Sequence, residues 1–228
     1  MSARTATGGR AARPLVKVCG LTRERDVRLC LKLGVDCTGF VFVPESPRYV
    51  EPEVVADFPM GLAARVGVFA GQSIEEVLRI MDQARLDMAQ LHGGEDVDFC
   101  RAVGPERIIK VLWPENPPDG QKPGRTAADA LYQECLCFAN ACACFLFDAG
   151  LSGGGSGRGL PSRLFAGFRS PRPWFLAGGL GPENAGQAFQ DCGPDGVDCN
   201  SGLERAPGIK DARKLRRLMD SLRTGALA

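Results

Sequence analysis

Eight short runs rich in Val, Ile, Leu and Phe recur along this chain, and segments with helical patterns separate most of them. The runs are continuously apolar rather than alternating, which is typical of parallel strands covered on both faces. They occupy residues 15–19, 37–43, 65–70, 87–92, 107–113, 144–150, 174–180 and 196–200. Eight strand–helix units within 228 residues favour an α/β fold, the single-domain (β/α)8 TIM barrel, over an open doubly wound sheet.

The segments between the runs carry helix-start signals. Ser73 is followed three residues later by Glu76, which is a capping box. Thr22 and Asp96 are further N-cap candidates. We expect residues 1–14 to form a disordered tail, 15–223 to form the barrel and 224–228 to form a short C-terminal tail.

Charge and composition narrow the class of partner. The 28 Lys and Arg residues nearly balance the 27 Asp and Glu residues, and 44% of the chain is apolar. This balance predicts neither a nucleic-acid partner nor a membrane partner, and so it favours a small-molecule ligand. No apolar run and no leader pattern indicate a membrane span or secretion, so we expect a cytoplasmic protein. An arginine-containing start leaves a short organellar transit peptide as the alternative.

The chain contains ten cysteines, and without an export signal we expect them to be reduced. Four of them cluster in "CLCFANACACF" as Cys135, Cys137, Cys142 and Cys144. Their C-x-C pairs lack the C-x2-C spacing of zinc ribbons. We therefore predict buried apolar filler and no metal site.

Polar side chains follow several of the predicted strands, at the end of a barrel where catalysis takes place. Cys19 is the last residue of the first run, Arg48 lies in a Ser-Pro-Arg turn beyond the second, and Asp148 lies near the end of the sixth. A thiolate can act as a base, a carboxyl group near apolar walls can act as an acid, and an arginine fork can bind a carboxylate. Position alone leaves open a buried filler cysteine, a capping aspartate and a solvated arginine.

Three glycine-rich segments lie at the ends of the last three runs: residues 152–157 follow the sixth, 177–180 close the seventh and 200–202 follow the eighth. Backbone N–H groups in such loops can converge on a phosphate, and barrels often bind phosphate after strands 7 and 8. Tight turns are the alternative explanation. The only histidine, His92, has no G-x-S-x-G partner motif, which disfavours a hydrolase.

Seven motifs then occur in one order along almost the whole chain. They are "KVCGLT" (17–22), "GFVFVPESPRYV" (39–50), "VGVFAG" (66–71), "AQLHGGE" (89–95), "LFDAG" with "GGSG" (146–157), "LAGGLGPENA" (176–185) and "GVDCNSGLERAPGIKD" (196–211). This ordered set resembles the phosphoribosylanthranilate isomerase family. Departures from the family pattern are Ser156 in place of Thr, the absence of Phe-Asp-Trp after the glycine-rich motif, and "CNSG" after the last strand.

The resemblance implies an intramolecular oxidoreductase, an aldose–ketose isomerase of L-tryptophan biosynthesis. It would rearrange N-(5-phosphoribosyl)anthranilate to 1-(2-carboxyphenylamino)-1-deoxyribulose 5-phosphate, a phosphorylated small molecule, without a cofactor or metal. Asp148 would be the general acid, Cys19 the general base and Arg48 the anchor for the anthranilate carboxylate. The phosphate would lie against Gly154, Gly155, Ser156, Gly157, Gly178, Gly179, Ser201 and Gly202. We expect a monomer or a homodimer.

Two alternatives remain. A related barrel isomerase of histidine biosynthesis catalyses the same kind of rearrangement, but its family uses two aspartates, whereas here the first strand ends in Cys19. A noncatalytic phosphate-binding barrel is the second alternative, and the presence of both Cys19 and Asp148 speaks against it.

Overall fold

The protein is an eight-stranded parallel β-barrel, seen in a computed structural model that describes residues 13–114, 127–148, 165 and 168–224. The strands pair in chain order, and β8 closes the barrel by pairing with β1. Their bounds are β1 Leu15–Val18, β2 Cys37–Val41, β3 Ala64–Phe69, β4 Met88–Leu91, β5 Ile108–Leu112, β6 Cys144–Asp148, β7 Trp174–Ala177 and β8 Gly196–Cys199. The predicted TIM barrel is confirmed, and each strand lies where an apolar run predicted it.

Helices follow most of the strands, as crossover connections between parallel strands require. They are α1 Glu24–Leu33, α2 Pro52–Ala56, α3 Ile74–Gln83, α4 Val97–Val103, α5 Ala127–Phe138, α6 Ala185–Cys192 and α7 Ala212–Thr224. The predicted sixth connector, around residues 161–168, lies mostly outside the described residues. Within the described residues, no helix combines the length and apolarity needed to span a bilayer.

Two of the three predicted N-caps are confirmed. Ser73 Oγ accepts a hydrogen bond from the Glu76 backbone N–H, and Asp96 accepts one from Phe99. Thr22 is wrong as a cap, since Arg23 occupies that position of α1 without a side-chain cap bond. The Thr22 hydroxyl instead donates to the Gly208 carbonyl at 2.7 Å, which ties the loop after β1 to the loop after β8.

The core has two layers, which explains why the strand sequences are apolar throughout. A large cluster lies between the barrel and its helices, and a smaller one fills the barrel interior. The interior cluster consists of Cys37, Val66, Met88, Ile109, Val111, Cys144, Leu146, Phe175 and Ala177. Lys17 and Asp198 are buried charged residues of β1 and β8.

A small antiparallel hairpin follows β8 and was not predicted from the sequence. It consists of β9 Glu204–Ala206 and β10 Ile209–Lys210. Gly208 in its turn has φ 74°, a left-handed conformation that favours glycine. The hairpin was not predicted because strands of three and two residues are too short to give a hydrophobic pattern. It places Glu204 and Lys210 beside the end of the barrel.

All ten cysteines lie within the described residues as free thiols, and nine are buried. Cys135, Cys142 and Cys144 contribute to the core, as predicted, whereas Cys137 is exposed on α5 and so is not the filler that we expected. An exposed position on the outer face of a helix gives a side chain no core to fill. In the part of the chain that the structure describes, no three His, Cys, Asp or Glu side chains are grouped to hold a metal ion.

Candidate active site

Cys19 lies directly after β1 at one end of the barrel. Its backbone N–H donates to the Cys199 carbonyl at 3.0 Å, which continues the pairing of β1 with β8. Its side chain is 4% exposed and packs with Val41 and Val68. The thiol therefore has a fixed position at the edge of the barrel interior.

Lys17 and Asp198 form a buried ion pair next to this thiol. The two residues are register partners on β1 and β8, and Lys17 Nζ donates to Asp198 Oδ2 at 3.0 Å. The Lys17 side chain is completely buried. Burial alone would lower the pKa of Lys17, but the charges of Asp198 and Cys19 outweigh it and raise that pKa. Lys17 is therefore charged at neutral pH.

The pKa of the Cys19 thiol reflects opposing effects. Burial is the largest effect and raises the pKa above its ordinary value. The positive charges of Lys17 and Lys210 lower it, whereas the charge of Asp198 adds to the increase. The surroundings thus combine a dry site, which disfavours a thiolate, with two cations that favour it.

Arg48 follows β2 and reaches the hairpin after β8. Its Nε donates to Glu204 Oε1 at 3.0 Å and its Nη2 donates to Glu204 Oε2 at 2.8 Å, a two-point ion pair. Glu204 Oε1 also accepts from Lys210 Nζ at 2.9 Å. Burial would raise the pKa of Glu204, but Arg48 and Lys210 outweigh it and lower that pKa. Within the described residues, Arg48 Nη1 has no hydrogen-bond partner and stays available for a ligand.

Asp148 is the last residue of β6, and its side chain is partly exposed at the same end of the barrel. Its charge acts on His92, which follows β4. Burial lowers the pKa of His92, whereas Asp148 opposes that effect. The charges of Lys17 and Asp198 act on His92 as well. Asp148, His92 and the Lys17–Asp198 pair therefore form one electrostatic cluster across the barrel.

The loops after β7 and β8 contact each other through glycines. Gly178 and Gly179 have φ values of 107° and 70°, which place both in the region that favours glycine. A Cβ at Gly202 would lie 2.2 Å from the Leu180 carbonyl oxygen, so only glycine permits this contact. Ser201 begins a short 3-10 helix beside it. The other four predicted phosphate residues, Gly154, Gly155, Ser156 and Gly157, lie outside the described residues.

Sequence reasoning missed four charged residues around these positions, namely Lys17, Asp198, Glu204 and Lys210. A signal was present for the first two. Each is a charged residue in the middle of an apolar run, as in "LVKVC" and "GVDCN". Such residues are almost never fully buried unless they are paired. A lysine in one apolar strand and an aspartate in another are therefore candidates for a buried ion pair with each other. Glu204 and Lys210 have no comparable signal, because the hairpin that carries them was not foreseen.

Comparison with known proteins identifies the family. A model of the family described as N-(5'phosphoribosyl)anthranilate (PRA) isomerase matches residues 16–221. N-(5'-phosphoribosyl)anthranilate isomerase of Desulfovibrio desulfuricans is 52% identical over 202 residues, which cover 88% of this chain and 92% of that protein.

Solved structures give the same result. The phosphoribosyl anthranilate isomerase of Thermus thermophilus is 37% identical with a TM-score of 0.74, covering 92% of this chain and 98% of its own. A phosphoribosyl anthranilate isomerase in complex with reduced 1-(o-carboxyphenylamino)-1-deoxyribulose 5-phosphate is 28% identical with a TM-score of 0.75, again covering 92% and 98%. This chain belongs to the N-(5'-phosphoribosyl)anthranilate isomerase family.

Proposed function

We propose that this chain catalyses the Amadori rearrangement of N-(5-phosphoribosyl)anthranilate to 1-(2-carboxyphenylamino)-1-deoxyribulose 5-phosphate, with Asp148 as general acid and Cys19 as general base. The observation that carries the proposal is the arrangement at one barrel end. Cys19 lies directly after β1 and Asp148 ends β6, and the Lys17–Asp198 pair acts on both Cys19 and His92, the neighbour of Asp148. An aldose-to-ketose shift needs one acid and one base on either side of the reacting carbons.

Asp148 begins the reaction by giving a proton to the ribose ring oxygen. The bond between C1′ and that oxygen breaks, and the nitrogen lone pair forms a C1′=N double bond. The ring thereby opens to a protonated Schiff base. Partial exposure of Asp148 leaves its carboxyl group open to a substrate at the end of the barrel.

Cys19 then removes the proton from C2′. The electrons of that C–H bond form a C1′=C2′ double bond, and the electrons of the C1′=N bond return to nitrogen, which gives an enolamine. Tautomerisation moves the hydroxyl proton from C2′ to C1′ and leaves the C2′ ketone. The positive Schiff base makes the C2′ proton more acidic, so a thiolate is a sufficient base.

Anchors at both ends of the substrate hold C1′ and C2′ between the acid and the base. Arg48 Nη1 is available for the anthranilate carboxylate because Glu204 occupies Nε and Nη2. The touching loops at Gly178, Gly179, Ser201 and Gly202 offer backbone N–H groups for the phosphate. The related structure in complex with a carboxyphenylamino-deoxyribulose phosphate holds a ligand with both groups.

The remaining expectations belong to the same proposal. The functional unit is the barrel of residues 15–223, with Gly154, Gly155, Ser156 and Gly157 completing the phosphate site. It acts on a small phosphorylated substrate in the cytoplasm, as a monomer or a homodimer, and needs no nucleic acid or membrane.

The test mixes the purified protein with phosphoribosylanthranilate generated in situ and follows the loss of substrate fluorescence. We expect Cys19→Ser and Asp148→Asn each to lower kcat by about 10²–10⁴-fold, the usual contribution of a positioned acid or base, with KM little changed. Cys137→Ser, at an exposed thiol on α5, is the matched control and should keep parental turnover. Full activity of either active-site variant would remove that residue from the mechanism.

A further inference from the structure

Lys17 is a completely buried lysine close in sequence to the proposed base. It lies two residues before Cys19 on β1, and the side chains of positions i and i+2 of a strand point to the same face. Both side chains therefore face the barrel interior. The Lys17 side chain has no exposed surface, so its charge is compensated within the protein rather than by bulk water.

Asp198 pairs with this charge but uses only part of the hydrogen-bonding capacity of the ammonium group. An ammonium group has three N–H donors, and Asp198 Oδ2 accepts one of them at 3.0 Å. Within the described residues, no other hydrogen bond of Lys17 Nζ to an oxygen exists. Cys19, two residues further along the same face, is a neighbour on which the charge of Lys17 acts.

A second buried lysine shows what a purely structural pair looks like in this barrel. Lys110 of β5 donates to the Gly93 carbonyl at 3.1 Å and contacts Glu95 Oε2 at 3.5 Å. Its ammonium also lies 5.4 Å from the centre of the Phe138 ring. These contacts join β5 to the loop after β4, and Lys110 is not among the largest influences on the pKa of Cys19.

We propose that Lys17 is a positioning residue for this reaction, whose buried ammonium stabilises the thiolate of Cys19 while Asp198 holds the ammonium in place. The inference rests on the proposed role of Cys19 as the base. No covalent step is added. When Cys19 becomes a thiolate, the interior gains a negative charge beside a positive one already in place, so no solvent has to reorganise. When Cys19 takes the C2′ proton, that charge disappears and Lys17 remains paired with Asp198.

The test measures the thiolate of Cys19 directly. Iodoacetamide alkylates thiolates, and mass spectrometry of the peptide that contains Cys19 reads its alkylation rate at each pH, independently of the nine other thiols. The variant is Lys17→Met with Asp198→Asn, because replacing both members of a buried pair avoids leaving one charge unpaired. Lys17→Gln is the second variant, whose shorter amide side chain still carries an N–H donor but no positive charge.

We expect the alkylation profile of Cys19 to move upward by about one pH unit or more in both variants, which slows alkylation at pH 7 by about tenfold. The groups that face Cys19 are Lys17, Asp198 and Lys210. Lys210 remains in both variants, so the shift in the double variant measures the contribution of the pair and the shift in Lys17→Gln measures the loss of the lysine charge beside an intact Asp198. We expect kcat to fall by about the same factor or more, with KM little changed, and the deficit in kcat to shrink as the pH is raised.

The matched control is Lys110→Met with Glu95→Gln, which removes the other buried lysine pair. Its effect should be a lower melting temperature with an unchanged alkylation profile of Cys19. An unchanged profile in a folded Lys17 variant would overturn the proposal, whatever its melting temperature. If the double variant does not fold, the Lys17→Gln profile decides.

Failure of this inference and failure of the proposed function give different results. If Cys19 is not the base, Cys19→Ser keeps its turnover, yet the Lys17 variants still shift the alkylation profile. If Lys17 has only a structural role, Cys19→Ser is inactive and the profile does not move.

Discussion

Glu204 decides how Arg48 can act, since it binds two of the three guanidinium nitrogens. A planar guanidinium held at two points by a carboxylate has a fixed orientation. Glu204 Oε1 also accepts from the Gly208 backbone N–H at 3.0 Å and from Lys210 Nζ. The carboxylate is thus itself held by the hairpin, and Arg48 presents Nη1 without first losing rotational freedom.

We predict that Glu204→Gln raises KM for phosphoribosylanthranilate by about tenfold and changes kcat much less. The amide keeps the shape of the side chain but removes its charge, and hydrogen bonds to charged groups contribute about 1.5–3 kcal/mol. Loss of orientation weakens binding of substrate and transition state alike, which appears in KM. Steady-state fluorescence kinetics measure both constants.

The control for this variant is Glu24→Gln, which breaks the Arg28–Glu24 pair on the exposed face of α1. Exposed pairs contribute about 0–1 kcal/mol, so KM and stability should both stay near parental values. A Glu204→Gln protein with a lower melting temperature but a parental KM would show that the ion pair has only a structural role.

At the scale of elements, β2 permits the close approach of β1 that positions the thiol. A Cβ built at Gly39 of β2 would lie 2.9 Å from Cys19 Sγ and 3.0 Å from Cys19 Cα. The second of these atoms belongs to the backbone, which cannot rotate away as a side chain can. The position of Cys19 therefore requires a glycine at position 39 of the neighbouring strand.

We predict that Gly39→Ala lowers kcat by at least about tenfold and destabilises the protein by roughly 1–3 kcal/mol, the usual cost of overpacking a core. Kinetics and urea unfolding measure the two effects. Gly186→Ala is the control, because a Cβ there meets nothing within 4 Å and the residue lies inside α6. Alanine favours a helix over glycine by about 1 kcal/mol, so this control should be at least as stable as the parent. Parental kcat in Gly39→Ala would mean that Cys19 can move without loss of function.

Elements with a strong local pattern were the predictable part of this fold. All eight strands and the caps at Ser73 and Asp96 follow from hydrophobic runs and capping chemistry that act over a few residues. The hairpin at Glu204–Lys210 was not predictable, because strands of three and two residues are too short to give a hydrophobic pattern. The site was predictable only in part. Positions at strand ends such as Cys19 could be predicted, whereas the pairing of Arg48 with Glu204 spans 156 residues and is visible only in the folded chain.

At the scale of the whole molecule, the barrel places a single, partly buried histidine among charged residues. The stability of the protein therefore depends on pH through this histidine. The pKa of His92 is lowered from 6.5, chiefly by burial. Four charged groups act on it from neighbouring parts of the barrel, namely Asp148, Lys17, Asp198 and Glu95. His92 is the only histidine in the chain. Between pH 6.5, the ordinary pKa of histidine, and the range in which Asp and Glu titrate, no other type of side chain ordinarily titrates.

We predict that the free energy of unfolding falls as the pH decreases below 6.5, by at most about 1.4 kcal/mol per pH unit in the range above the carboxyl groups. Because folding lowers the pKa of His92, the unfolded chain binds more protons in this range, and acid favours unfolding. A second loss begins below 4.5, where the lowered pKa of Glu204 acts in the same direction. Urea unfolding at several pH values measures both. His92→Gln should remove the first slope and keep the second, and a variant that retains the parental slope between pH 6.5 and 5 would show that the histidine does not cause it.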